Sequence, residues 1–180
     1  MIFYLRHTTI ENLQSLCYGQ SEMPLADSYL QELDHIAEEL SKLNIEQVFS
    51  SPSKRCLRLA HDLFPQKQVC VDDRLRELNF GRWEQKPWGE IAKDQIDVWA
   101  SNFVHQSPPG GESFESLVNR LQDFHEEHRQ QSVSLAVSHG GVLRAVHCLK
   151  HRRGLEKAFD HTCKYGSIIG YESDLSSEVQ

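Results

Sequence analysis

The chain has 180 residues, 39% of them hydrophobic and 25% charged, with a net charge of −7 at neutral pH. That length suits one domain with a real core, and the acidity argues against a general nucleic-acid or anionic-membrane binder, which is normally basic. No apolar run reaches the roughly 20 residues of a membrane span, no secretory leader precedes the first strand, and five cysteines without CxxC spacing read as free thiols of a reducing cytoplasm rather than as a zinc site.

Met1-Ile2-Phe3-Tyr4-Leu5 reads as a short apolar strand that ends in Arg6-His7. In an open α/β sheet, ligands bind beyond the carboxyl ends of the strands, so this pair is a first candidate site. Residues 9–26 show no period and form a long loop, a kind that is often functional. Cys17-Tyr18-Gly19-Gln20 and Pro24-Leu25 within it look like fixed turns. A helix follows, with Ser28 and Gln31 spaced as a capping box and a stripe of Leu30, Leu33, Ile36, Ala37, Leu40 and Leu43.

Gln47–Ser50 reads as the second strand, and Ser51-Pro52 as the cap and first residue of the next helix. Cys56, Leu59, Ala60 and Leu63 are its expected buried face, with Phe64-Pro65 as its stop. Arg55 falls in the first turn, where the helix dipole disfavours a cation, and a bound anion there would reverse the sign. A third strand spans Gln68–Val71. The charged and aromatic run from Asp73 to Glu84 is tethered by Leu75, Leu78 and Phe80, and residues 87–104 read as a helix with Trp88, Ile91, Ile96 and Trp99 buried or facing substrate.

Ser107-Pro108-Pro109-Gly110-Gly111 breaks the chain, and Ser113 caps a helix with the stripe Phe114, Leu117, Val118, Leu121 and Phe124. The buried strand Val133–Val137 ends in Ser138-His139-Gly140-Gly141, and a helix opens at Val142, an arrangement whose N–H groups favour an anion. Ser167–Tyr171 is the last strand. The reading gives one α/β domain over residues 1–172 with a largely parallel sheet, and a polar tail over residues 173–180. Arg6, His7, Arg55 and His139 then lie at strand ends together, a set suited to a dianionic tetrahedral group such as phosphate. No Walker sequence, GxGxxG or metal-carboxylate cluster is present, so neither a metal nor another cofactor is expected.

Leu5-Arg6-His7, Ser50-Ser51-Pro52 with Arg55, Arg76-Glu77 and Ser138-His139-Gly140 resemble the histidine phosphatase (phosphoglycerate mutase-like) superfamily over nearly the whole chain. Arg6-His7-Thr8, Cys17-Tyr18-Gly19-Gln20, Pro24–Ser28, Leu75–Gly81 and Pro108–Ser113 further resemble the α-ribazole phosphatases of cobalamin synthesis. Where much of the superfamily has Arg-His-Gly-Glu-Thr, this chain has Arg6-His7-Thr8-Thr9-Ile10, and Thr8 is part of what points to the ribazole group.

The resemblance implies a three-layer α/β/α sandwich with a mostly parallel central sheet. It also implies a phosphomonoesterase in which His7 is the nucleophile, Glu77 the general acid, and Arg6, Arg55 and His139 hold the phosphate. The implied substrate is a small phosphorylated molecule, α-ribazole 5′-phosphate or adenosylcobalamin 5′-phosphate. Tyr18, Phe80, Trp83 and Trp88 are candidates for an aromatic wall around its base, and Gly19, Gln20 and Glu22 lie in the loop expected to touch it. The alternatives are a broad sugar-phosphate or nucleotide phosphatase, a phosphoglycerate mutase, which is typically longer, and a non-catalytic phosphate-binding module.

Overall fold

A computed structural model describes residues 1–129 and 132–172, so the expected tail at 173–180 lies outside the described residues. The sheet has five strands: β1 (Ile2–Arg6), β2 (Gln47–Ser50), β3 (Val69–Val71), β4 (Ser134–Ser138) and β5 (Ile168–Tyr171), in the order β3-β2-β4-β1-β5. β1, β2, β3 and β4 run parallel, and β5 closes one edge antiparallel to β1. All five residues of the central strand β4 are buried, as expected of a parallel strand covered on both faces.

Side chains alternate across a strand, and the two cores follow that alternation. Phe3, Leu5, Val48, Leu135 and Val137 pack against α1 (Tyr29–Leu40) and α2 (Lys54–Leu63). Ile2, Tyr4, Phe49 and Ala136 point the other way, into a core built with α4 (Phe114–His128) and α5 (Gly140–Lys150). The result is a three-layer α/β/α sandwich. Because β1, β2 and β4 are parallel and adjacent, their carboxyl ends deliver Arg6-His7, the Ser51–Arg55 segment and His139 to the same edge of the sheet.

Several local expectations change. The Ser28/Gln31 capping box does not form. Ser28 lies in the helical region, and its hydroxyl donates to Glu32 Oε1 (2.6 Å), while Glu32 Oε2 accepts the Thr9 amide (2.9 Å). The first turn of α1 is thus tied to the loop after His7. Leu30 and Ala37 face solvent, and Tyr29 takes the buried place. α2 starts two residues later than Ser51-Pro52 suggests, with Ser53 as its N-cap, which leaves the Ser51 hydroxyl free for another bond. Strand β3 loses Gln68. The helix expected over 87–104 divides into a 3₁₀ turn (Trp88–Glu90) and α3 (Lys93–Ser101), because Ile91 and Ala92 adopt extended backbone between them. Ser113 does cap α4, accepting the Ser116 amide at 3.1 Å. All five cysteines are unpaired, and among the described residues no helix is long and apolar enough to cross a membrane.

Candidate active site

His7 is 1% exposed, Arg55 1% and His139 0%, so the expected core of the site is assembled and sealed. The two imidazoles meet edge to face with centroids 5.2 Å apart. Their hydrogen-bond partners fix both tautomers. His7 Nδ1 lies 2.7 Å from the Thr8 carbonyl oxygen, an acceptor, so Nδ1 carries the proton. Arg55 Nε donates to His7 Nε2 at 3.2 Å, so Nε2 presents a lone pair. His139 is the reverse: Arg55 Nη2 donates to its Nδ1 (3.2 Å), and its Nε2–H meets Ser51 Oγ at 2.8 Å.

Burial is the largest cause holding both imidazoles neutral, with Arg55 next. His7 is lowered from 6.5 to about 3, and His139 well below 6.5. As the pH falls below 6.5 the unfolded chain binds protons at these positions and the folded chain does not. Stability is therefore complete above 6.5 and declines toward pH 3, by up to about 1.4 kcal/mol per pH unit for each histidine. Urea denaturation at pH 7.5, 6 and 5 checks this, and an unchanged unfolding free energy across that window would contradict it.

Arg55 makes four hydrogen bonds, and every acceptor is neutral: His7, His139, the Ser21 carbonyl (2.8 Å) and the Gly19 carbonyl (2.8 Å). No carboxylate pairs with it among the described residues. Buried charges are ordinarily paired, so this site has a cation without its anion. Arg6 is similar. One of its Nη atoms donates to the Cys163 carbonyl, its guanidinium lies 3.9 Å from the Tyr165 ring centroid, and its buried Nε has no partner. The Thr8 hydroxyl is also buried without a partner.

Glu77 sits at the N-terminus of α5, where both carboxylate oxygens accept the Gly141 amide (3.0 and 3.1 Å) and Oε1 also accepts the Leu78 amide (2.9 Å). The group that this helix end holds is therefore the protein's own Glu77 carboxyl. A Cβ on Gly141 would lie 2.2 Å from Glu77 Oε1, so glycine is required there. Arg74 and Arg76 do not pair with Glu77. They bind Asp72, Glu127 and Asp73 instead.

The loop residues act mainly as scaffold. Gly19 holds φ +34 with no room for a Cβ and offers its carbonyl to Arg55, while the Gln20 side chain donates to the Glu77 carbonyl (3.1 Å). Glu22 accepts the Lys54 amide at the start of α2. The expected aromatic wall is divided. Tyr18 lies over Arg55 with its ring centroid 5.6 Å away. Trp83, 3% exposed, packs edge to face with Trp88 and Trp99 in the hydrophobic core, and Phe80 packs on Trp88 and Trp99, so these three rings stabilise the layer beneath the loops.

Sequence reasoning missed Tyr165, whose ring lies 5.5 Å from His7, since no motif surrounds it. It also missed Glu84, which accepts the Gln20 and Ser21 amides (3.0 and 2.7 Å) and so fixes the carbonyls that hold Arg55. Its signal was its place in the same charged run as Glu77. Arg120 was missed too. It donates to the Glu77 carbonyl (3.2 Å) and pairs with Glu112 (2.7 Å).

The sequence profile of the histidine phosphatase superfamily (branch 1) matches residues 2–177. The chain belongs to that superfamily. It is 33% identical over 160 residues to the metal-independent phosphoserine phosphatase of Arabidopsis thaliana, covering 81% of this chain and 66% of the relative. It is 27% identical over 180 residues to phosphoserine phosphatase 1 of Hydrogenobacter thermophilus, covering 92% and 83%. Among solved structures, the α-ribazole phosphatase of Shigella flexneri superposes with a TM-score of 0.82 at 22% identity, covering 93% of this chain and 87% of that one, a likeness of fold. This histidine phosphatase is therefore a phosphatase by family, with sequence relatives and fold neighbours that differ in the substrates they are named for.

Proposed function

We propose that the chain hydrolyses small phosphomonoesters through a phosphohistidine on His7. The observation that carries this reading is the buried, anion-free Arg55 beside a neutral imidazole whose Nε2 lone pair faces it. A phosphate dianion entering the site supplies the missing counter-charge and takes over the Arg55 Nε–H from His7. The freed Nε2 lone pair forms the N–P bond as the ester P–O bond breaks. Arg6, Arg55 and His139 hold the non-bridging oxygens, which is most of the catalytic task in phosphoryl transfer.

Glu77 enters this step protonated and gives that proton to the departing alkoxide, and the alcohol leaves with Glu77 as carboxylate. Its carboxylate then takes a proton from water as the water oxygen attacks phosphorus, the N–P electron pair returns to Nε2, and inorganic phosphate departs. The arginines supply the positive charge here, so the scheme has no step that uses a metal.

Two substrates fit this scheme. The sequence relatives favour O-phosphoserine. The aromatic rings of Tyr18 and Tyr165 at the mouth, with the ribazole-like fold neighbour, support α-ribazole 5′-phosphate. Phosphate release from each, measured side by side in excess chelator, separates them and tests the metal-free scheme: loss of activity in chelator, restored by added metal, would contradict it. In the same assay Glu77→Gln is expected to slow these alkyl esters by about 10²–10⁴-fold. Compared in kcat/KM, which reads only the steps up to the phosphohistidine and not the shared base step, it should spare p-nitrophenyl phosphate, whose leaving group needs no proton. Equal losses of kcat/KM on both classes of ester would remove the acid role.

A further inference from the structure

Tyr165 lies between α5 and β5, followed by Gly166 at φ +73, whose amide donates to the Arg6 carbonyl (3.2 Å) and reaches the His7 carbonyl (3.4 Å). This turn is anchored on the nucleophile's own backbone and sets the ring against the Arg6 guanidinium and the His7 imidazole. Across the mouth, Tyr18 lies over Arg55. Each tyrosine thus covers one of the two arginines, and their hydroxyls meet at 3.4 Å. Both rings are half-buried, whereas His7 beneath them is 1% exposed, so the pair stands between solvent and the imidazole.

The two rings are held differently from the contact that joins them. Each rests on a guanidinium, an attraction that strengthens away from water, while the hydroxyl contact at 3.4 Å is longer than an ordinary O–H···O bond. The hydroxyl contact is thus the weakest point of the cover, and a path opened there would be a slot between two aromatic rings. An ester whose phosphate hangs from a CH2 group passes its narrow CH2–O–P segment through such a slot. A phosphate on a carbon with two further carbon substituents brings that branching between the rings.

We infer that Tyr165, working with Tyr18, is a specificity-determining residue that selects phosphate esters of primary alcohols over those of secondary alcohols. The inference rests on the proposed chemistry at His7 and says which esters reach it.

Glycerol 1-phosphate and glycerol 2-phosphate are isomers that differ in this feature alone, and kcat/KM is measured for each. The wild-type protein is expected to prefer the 1-isomer by about tenfold or more, the scale on which a pocket discriminates one carbon. Tyr165→Ala is expected to bring the ratio toward one, mainly by raising activity on the 2-isomer, and Tyr165→Phe to keep it, since the ring remains. If Tyr165→Ala folds poorly, Tyr18→Ala opens the same slot from the other side and carries the same expectation. Hydrolysis of both isomers at equal efficiency by the wild type, or an unchanged ratio in both alanine variants, would overturn the inference while leaving the chemistry at His7 intact. Hydrolysis of neither isomer, with none of the other phosphomonoesters turned over, would overturn both.

Discussion

His7→Ala is expected to abolish phosphatase activity while leaving the fold intact, with a loss on the order of 10⁴–10⁶-fold in kcat, the scale seen when a covalent nucleophile is removed. The size follows from the division of labour in the site. Arg6, Arg55 and His139 hold phosphate oxygens, and none of them replaces the Nε2 lone pair that Arg55 Nε and the Thr8 carbonyl orient from either side of the ring. Truncation opens a cavity beside His139, which on its own destabilises. It also removes a buried imidazole that burial and Arg55 keep from protonating, which recovers stability at acid pH. Steady-state phosphate release, with circular dichroism as the folding control, reads the outcome. Activity within tenfold of wild type, well short of the scale a lost nucleophile produces, would remove His7 from the reaction.

Arg55→Ala separates function from stability in a different way. Kinetically, about 10²–10³-fold in kcat/KM is expected to go, the cost of one well-placed charge-stabilising donor. Structurally, two opposing effects meet. The carbonyls of Gly19 and Ser21 lose their donor, at about 1–3 kcal/mol for each buried group left unsatisfied, and the acceptor nitrogens of His7 and His139 lose theirs, a loss the two imidazoles can relieve by exchanging tautomers. Against that, a buried cation without a carboxylate partner disappears, and burial of such a charge costs several kcal/mol. The net change in unfolding free energy is expected to stay within about 2 kcal/mol, less than the 3–5 kcal/mol that breaking a buried ion pair costs.

Inorganic phosphate is expected to raise the melting temperature of the wild type, because it binds the folded state alone, and to leave that of Arg55→Ala unchanged. Arg55→Lys is expected to behave like the alanine variant in the activity assay, since one ammonium cannot span four acceptors set by a planar fork. An equal phosphate-induced shift in wild type and variant would show that Arg55 does not hold the anion.

The elements that the sequence made legible are those in which a single strong pattern acts alone. The apolar runs read as strands at the start of the chain and at Val133–Val137 are β1 and β4, which the structure shows placing Leu5, Leu135 and Val137 on one face and Tyr4 and Ala136 on the other. The apolar stripe of α4 is buried as its spacing predicted. Arg6, His7, Arg55 and His139 converge because parallel neighbouring strands end on one edge, which strand order alone makes possible.

The misreadings arose where two partners competed. Ser51 and Ser53 both suit an N-cap, and Ser53 takes the role while Ser51 turns to His139 Nε2. Leu30 and Tyr29 both suit the buried face of α1, and the hydroxyl of Tyr29 finds Asp62 at 2.6 Å, which settles the helix rotation. An anion was expected at the start of α5, but the sequence did not reveal that the Glu77 carboxyl, 64 residues earlier, already occupies that helix end. Trp83 and Trp88 carry no local mark that distinguishes a substrate wall from a packed core, and tertiary packing put Trp83 in the core and Trp88 against it. The motif Leu78–Gly81 and the run Pro108–Glu112 proved to be one interlocked structure. Gly81 and Gly111 leave no room for a Cβ where the two backbones touch, and the Glu112 amide donates to the Asn79 carbonyl at 3.0 Å. These motifs therefore shape the loop that carries Glu77.

The central claim is a covalent phosphoryl group on His7 Nε2. Rapid mixing of the wild-type protein with excess phosphomonoester, an alkaline quench and mass analysis of the peptide containing His7 tests it most directly. One phosphoryl group is expected on that peptide, stable in alkali, lost in acid and absent from His7→Ala. Phosphate release by an enzyme that carries no label at His7, or a label on a serine or cysteine instead, would contradict it.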